Sequence, residues 1–456
     1  MDLRPNSDEA RDVAYHFHSY TNALAHADIG PMIIEKGEGI YITDNNGNRY
    51  IEGMSGLWSV GLGFNEQRLV DAAHQQMQRL PFYHNFTHRS HGPAIDLAET
   101  LIEMAPVPMS KVFYTNSGSE ANDTIIKMIW YRSNALGKPE KKKIISRLRG
   151  YHGVTVASAS MTGLPYNHMS FDLPINGILH TTCPHYWREG HAGETEEDFA
   201  TRCAQDLDDM IQAEGPETVA AFIAEPVMGA GGVVVPPATY WEKIQAVLSK
   251  YDILLIADEV ICGFGRTGNM FGSTTFCMKP DILTMSKMIT SSYFPFSAFM
   301  MNDRVYDPIA AESGRIGVLG HGFTGAGHPV GAAVALENIK IIKERDLVAN
   351  AAARGAELQA GLAQMADHPL VGEARGVGLI AAMELIPPAG KEDDWLPGKL
   401  GVRMNAIMQK NGLISRNMAD AMAYCPPLIV SSDEIAEILK ITQQSLQELA
   451  SEIGVS

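Results

Sequence analysis

Four short apolar runs, each ending in polar or glycine residues, constrain this chain more than any other feature. They lie in KKKIISRLRGYHG (residues 141–153), AAFIAEPV (220–227), ILLIADEV (253–260) and PDILTMSK (280–287). Helical stretches such as TYWEKIQAVLSKY (239–251) fall between them. A strand buried on both faces reads as a compact apolar run, and strands alternating with helices build an α/β domain with a largely parallel sheet. In such sheets ligands collect beyond the carboxyl ends of the strands. The residues that end these runs are therefore the ones to examine for chemistry.

The rest of the chain is organised around that core. Residues 37–56, GEGIYITDNNGNRYIEGMSG, read as a hairpin, with alternating apolar positions on either side of Asn46-Gly47. After Gly327 the pattern gives two amphipathic helices, a strand over residues 376–386, a surface loop over 387–398 and a closing helix over 433–453. The expected division is residues 1–63 and 327–456 in a smaller α+β domain and 64–326 in the large one. With 456 residues, two domains are the natural expectation.

Charge and cysteine usage exclude several classes. The net charge of −17 repels phosphate backbones and anionic lipid, so neither nucleic acid nor membrane is an expected partner. The five cysteines are scattered and contain no CxxC pair, which argues against a disulfide framework and for a reducing compartment. The first residues, MDLRPNSDEARDV, lack an apolar signal core, and the expectation is a cytoplasmic protein. NFT (85–87) and NDT (122–124) match glycosylation acceptors only formally.

Three local constellations bear on chemistry. Ser117-Gly118-Ser119-Glu120 has the spacing of a capping box ahead of an apolar-periodic helix, and exposed N–H groups at a helix start suit phosphate. Alone, it is better explained as an ordinary N-cap with no ligand. Asp258 ends a strand apolar on both faces, where a carboxylate costs several kcal/mol without a partner. In an extended strand Val260 would share its side, a pairing that suits a flat cationic ring; alone, a structural ion pair explains Asp258 as well. Lys287 follows a buried run and precedes small and aromatic residues, a setting that lowers an amine's pKa and makes it nucleophilic. Alone, it is better explained as a surface lysine at a strand end.

In this order, with YHG at 151–153 between the first and second, these elements resemble the class III, fold-type-I aminotransferases. Within them the similarity is to the ω-amino acid:pyruvate and amine:pyruvate transaminases. It runs over nearly the whole chain and includes GLW (56–58), YTNSGSEAND (114–123), AEP (224–226), GAGG (229–232), DEVICGFGRTG (258–268), HGFT (321–324) and GHP (327–329). The resemblance implies a mostly parallel seven-stranded sheet and pyridoxal 5′-phosphate (PLP) as cofactor. It implies that Ser117, Gly118 and Ser119 hold the phosphate and that Tyr151, with His152 beside it, covers the ring opposite Val260. Asp258 would pair with the ring nitrogen, Glu225 would lie nearby, and Lys287 would carry the cofactor and move the proton. Thr324 would reach the phosphate of another subunit's cofactor, giving a homodimer or dimer of dimers with shared sites. Tyr20, Leu57, Trp58, Phe86, Tyr151 and Ala230 would line the substrate pocket, and Arg416 would be a mobile carboxylate-binding arginine on a flexible loop. One departure stands out: relatives often carry glycine where this chain has Ser291-Ser292.

The expected reaction moves an amino group from a primary amine or ω-amino acid to a keto acid, pyruvate first. The rivals are a 2-oxoglutarate-dependent, 4-aminobutyrate-like aminotransferase, another class III enzyme, and a non-catalytic PLP-fold binding protein. The last is disfavoured because both Lys287 and Asp258 are present. Two motifs are decoys. GFGRTG (263–268) matches GxGxxG, but NMFGSTTF after it does not open an amphipathic helix. His84, His88 and His91 have helical spacing, yet Asn85 stands where a zincin carries glutamate, so no metal is expected.

Overall fold

The computed structural model describes residues 4–388, 390 and 395–455. Most of the expected surface loop over 387–398 thus lies outside the described residues or at their edge.

A seven-stranded sheet forms the centre. Its order is Lys111–Thr115, Ser297–Met301, Ile282–Met285, Leu254–Asp258, Val219–Ala224, Lys143–Arg147, Ile178–Thr181. Only Ser297–Met301 runs antiparallel to its neighbours. The four apolar runs read from the sequence are four adjacent strands of this sheet. Three of them, Val219–Ala224, Leu254–Asp258 and Ile282–Met285, are buried at every position. Alternating side chains explain this. Phe222 and Leu255 pack against Leu207 and Ile244 of helices Glu196–Glu214 and Tyr240–Lys250. Ile223 and Ile256 pack on the other face against Ile125 and Ile129 of helix Gly118–Ala135. Each fully buried aliphatic side chain contributes about 1.5–3 kcal/mol of transfer free energy, so the sheet is a rigid platform.

The hairpin forms as expected, Tyr41–Asp44 against Arg49–Glu52, with Ile34–Glu38 outside it. The short strand Leu413–Ile414 adds to it in parallel, so amino- and carboxyl-terminal segments share one sheet. A third sheet has the order Val371–Val377, Ile380–Leu385, Ala421–Tyr424, Arg416–Met418. Here one expectation needs correction. Residues 376–386 are not a single strand but the end of one and the whole of the next. Gly378, at φ +54, turns the chain between them. The apolar residues on both sides of that glycine hid the turn. Helices Pro329–Glu344, Leu347–Ala363, Lys399–Lys410 and Ser432–Glu452 complete the carboxyl-terminal half. No helix among the described residues is long and apolar enough to cross a membrane.

Candidate active site

The carboxyl ends of three central strands and the start of one helix converge on a single cavity. Gly118, Ser119, Tyr151, His152, Glu225, Asp258, Val260 and Lys287 all line it. Eight residues singled out from the sequence therefore meet in one place.

The helix start comes first. Ser117 caps Gly118–Ala135 by accepting a hydrogen bond from Glu120 N at 3.2 Å. The expected reciprocal half of the capping box does not form. The Glu120 carboxylate instead accepts from Asn116 N and Nδ2, at 2.8 and 2.9 Å. The first N–H groups of a helix have no partner within it, so those of Gly118 and Ser119 are available to an anion at the positive end of the helix dipole. A Cβ on Gly118 would lie 3.3 Å from Val260 Cγ2, so this glycine lets the helix sit close to Val260. Gly153 is tighter. At φ +132, a Cβ there would lie 2.6 Å from Ser119 Oγ and 2.9 Å from its Cα.

Asp258, 3% exposed, is the last residue of its strand. Asn122 Nδ2 donates to its Oδ2 at 2.9 Å, and His152 Nδ1 lies 2.9 Å from the same oxygen. Val260 is in the turn beyond the strand, not in the strand, and its N–H donates to Asp258 Oδ1 at 3.2 Å. The turn, rather than strand alternation, brings both to the cavity. Asn122 is fixed in turn by Thr284 Oγ1, which donates to its Oδ1 at 3.1 Å, and its Nδ2 also donates to His152 O at 2.7 Å. Glu225 is a second buried acid, accepting from Tyr151 N at 3.0 Å and Gly229 N at 2.9 Å. Burial pushes its carboxyl pKa up.

Lys287 opens a short 3₁₀ turn with a left-handed backbone, φ +49. Non-glycine residues adopt that region at a cost of about 1–3 kcal/mol, and such strain gathers at functional sites. Burial lowers its amine pKa; Asp258 and Glu225 act in the opposite direction, and Arg416 adds to the lowering. The result is an amine shifted toward its uncharged, nucleophilic form. The phenol of Tyr151 is pushed up by burial and by Tyr20 beside it. Tyr20, in turn, accepts from Asn167 Nδ2 at 2.7 Å.

Other residues implied by the resemblance stand outside this cavity. Trp58 is buried among Met54, Val227, Val233 and Ile261, of which Ile261 lines the cavity. Leu57 beside it is exposed. Ala230 is half-buried, one residue past Gly229. Phe86 and Thr324 are exposed on adjoining loops, where a Cβ on Gly322 would sit 2.9 Å from the Phe86 ring. The flexible loop expected around Arg416 is corrected. Arg416 begins the edge strand Arg416–Met418, paired to Ala421–Tyr424, because the small residues after it close a tight hairpin. Any swing must come from its side chain. That side chain is half-buried and has no ion-pair partner among the described residues.

The decoys resolve physically. Residues 81–91 are not helical, so the histidine spacing brings no cluster together. His91 caps helix Gly92–Glu103, and its Nε2 lies 2.8 Å from Gly327 O. In GFGRTG, Arg266 is fully buried and donates to Leu379 O and Pro426 O. The helix beyond it, Gly272–Thr275, has four residues. Asn122 of the NDT sequence is buried at the site, not on the surface. Asn122, Gly153 and Ser286 are site residues that the sequence did not reveal. No local signal marked Asn122, because its inward turn depends on how helix Gly118–Ala135 packs against the strand that ends in Asp258.

The model of the family described as "Aminotransferase class-III" matches residues 23–446. The chain is a class III aminotransferase. A solved omega transaminase from Pseudomonas jessenii, in complex with PMP, is 59% identical, with a TM-score of 0.97 over 98% of this chain and 99% of that one. A structure described as a transaminase with L-ala is 65% identical, with a TM-score of 0.91 over 92% of this chain and all of that one. Among curated proteins, gamma aminobutyrate transaminase 1, mitochondrial, of Solanum lycopersicum is 51% identical over 431 residues, 94% of this chain and 84% of the relative. Class III aminotransferases use PLP, and they join an amine donor to a keto acid acceptor. The residues present fit that cofactor: free helix N–H groups for a phosphate, a buried carboxylate, a branched apolar face, and a partly buried amine whose pKa burial lowers.

Proposed function

We propose that this aminotransferase moves an amino group from a primary amine or ω-amino acid to pyruvate, with Lys287 as the group that moves the proton. The observation that carries the reading is a desolvated lysine and a buried, doubly held carboxylate facing one cavity. Gly118 and Ser119 would hold the phosphate of PLP, capped by Ser117. Tyr151 and Val260 would take the two ring faces and Asp258 the ring nitrogen, with His152 and Glu225 behind them. When bound, PLP supplies an electron sink for the bond pair left at the substrate carbon. Lys287 Nζ would take up and hold the proton released at that carbon. Asp258, fixed by Asn122 and His152, keeps its charge in place as the proton moves. Ile261, backed by Trp58, would give the cavity an apolar side next to the reacting atoms.

A keto acid's carboxylate needs a cation, and among the described residues Arg416 has no ion-pair partner to give up; pyruvate is the smallest acceptor that meets this need. A charge-assisted arginine–carboxylate pair is the strong form of that contact. A similar transaminase was solved with L-alanine, the amine counterpart of pyruvate. The curated relatives are named for 4-aminobutyrate, which favours that donor; their names specify no acceptor, and 2-oxoglutarate is the rival to pyruvate in this second reading. Loading the enzyme with amino groups from a donor and challenging it with a panel of keto acids separates them. Pyruvate should discharge it fastest; faster discharge by 2-oxoglutarate refutes the first reading.

The assembly reading is a homodimer with shared sites. Phe86 and Thr324 stand away from their own chain's cavity, and Tyr15, Phe17 and Leu24 are more than four-fifths exposed. In mixed dimers of Lys287→Ala and Thr324→Ala chains, one site would carry both lesions and the other neither, so activity should reappear. The cysteine pattern supports a cytoplasmic setting.

A further inference from the structure

Residues 8–29 carry a second cluster of chemistry that the transamination site does not use. Helices Asp8–Tyr15 and Ala23–Ile29 bury no residue of their own, so apolar packing within the chain does not fix how they meet. What joins them is the Asp12 carboxylate. His18 Nε2 lies 2.7 Å and His26 Nε2 3.0 Å from its Oδ1, while His16 Nδ1 lies 3.1 Å from its Oδ2. The His16 and His18 rings are 4.2 Å apart, and those of His18 and His26 4.3 Å. The ligand atoms of Asp12, His16 and His18 all fall within 4.8 Å of one another.

We propose that Asp12, His16, His18 and His26 form a binding site for a zinc-type divalent cation. Neutral imidazole nitrogen with one carboxylate oxygen is the donor set of a borderline cation such as Zn²⁺ rather than of calcium or magnesium. The distances suit it. Ligands about 2.05 Å from a tetrahedral zinc sit about 3.3 Å from each other, so the three Asp12–imidazole spacings of 2.7 to 3.1 Å need to open by only a few tenths of an ångström. His26, which is not in the 4.8 Å group of Asp12, His16 and His18, would complete the set by closing on it. Asp12 supplies the site's one carboxylate, and the chain as a whole is strongly acidic. Tyr20 lies between His18 and His26 in the chain and reaches the phenol of Tyr151 at the cavity. An ion here would therefore tie down the arm that carries Tyr20 to the active site.

The test uses tag-free, PLP-loaded enzyme stripped with a chelator and then titrated with zinc chloride, with bound metal measured by calorimetry and elemental analysis. One equivalent per chain is expected. Asp12→Asn and His18→Gln keep side-chain size and hydrogen-bonding capacity but should each abolish that equivalent, while His84→Gln should retain it. Cobalt in place of zinc should give the visible absorption of a tetrahedral site, lost in the same two variants. If no equivalent binds at micromolar zinc, or if it survives both substitutions, the proposal is overturned.

Discussion

Gly153→Ala tests how closely the phosphate end of the site is built. The glycine follows His152 and packs on the first turn of helix Gly118–Ala135. Its φ of +132 lies in a region that L-residues avoid. Holding alanine there costs about 1–3 kcal/mol. The new methyl would also meet Ser158 Oγ at 2.5 Å, Ser119 Oγ at 2.6 Å and Ser119 Cα at 2.9 Å. The two hydroxyls can rotate, but the Cα cannot move without shifting the helix start. Overpacking of this kind typically costs about 1–3 kcal/mol more. The total, about 2–6 kcal/mol, is large against the 5–15 kcal/mol that separates a typical folded domain from its unfolded chain. Two readouts are informative: the thermal midpoint without cofactor, and PLP affinity by absorbance titration. Both should fall sharply. Gly314→Ala is the control, because that helical glycine has nothing within 4 Å of its virtual Cβ. It should be neutral or stabilising by up to about 1 kcal/mol. A Gly153→Ala protein that melts with the wild type and binds PLP equally well would refute the reasoning.

The geometry sets three further outcomes. Arg416→Ala should raise the Michaelis constant for pyruvate about tenfold to a hundredfold, the value of one charge-assisted pair; it should change the single-turnover half-reaction with an uncharged-tail amine much less, whereas equal losses would remove Arg416 as the carboxylate partner. Burial pushes the Glu52 carboxyl up to about 7. The folded state therefore holds that proton more tightly than the unfolded one, and the stability it lends is complete below about 4.5 and lost as pH rises through about 7. Glu52→Gln should consequently gain on the wild type across that window, by about 1–3 kcal/mol in chemical denaturation, and a pH-independent difference would contradict the assignment. Ser292 is exposed and left-handed at φ +59, so Ser292→Gly should stabilise by up to about 1 kcal/mol in the same assay, and a loss of stability would show that its side chain does more than the backbone conformation suggests.

What the sequence made legible is local chemistry at the ends of strands. Asp258, Glu225 and Lys287 each come after an apolar run, and parallel topology delivers such residues to one edge of the sheet. The helix start at Ser117–Ser119 was readable because capping is also local. Asn122 was not, since nothing in a helix sequence says that an asparagine will turn inward to hold a carboxylate 136 residues away. Gly153 escaped notice for a similar reason. Its φ and its contact with Ser119 exist only once the two segments are packed. Arg416 misled because small polar residues serve a loose loop and a tight edge hairpin equally well. The left-handed Ser291 shows how the departure from glycine is tolerated: its Oγ donates to Asn338 Oδ1 at 2.7 Å and accepts from Leu62 N at 3.2 Å, offsetting part of the strain.

Everything proposed for the reaction depends on Lys287 as the residue that carries the cofactor. Reduction of the PLP-loaded enzyme with borohydride, followed by peptide mass mapping, tests it directly. The label is expected on the peptide containing Ser286-Lys287 and on no other, and Lys287→Ala should bind PLP yet release all of it on denaturation after reduction. A label fixed to a different lysine, or one that persists in the Lys287→Ala protein, would contradict the central claim.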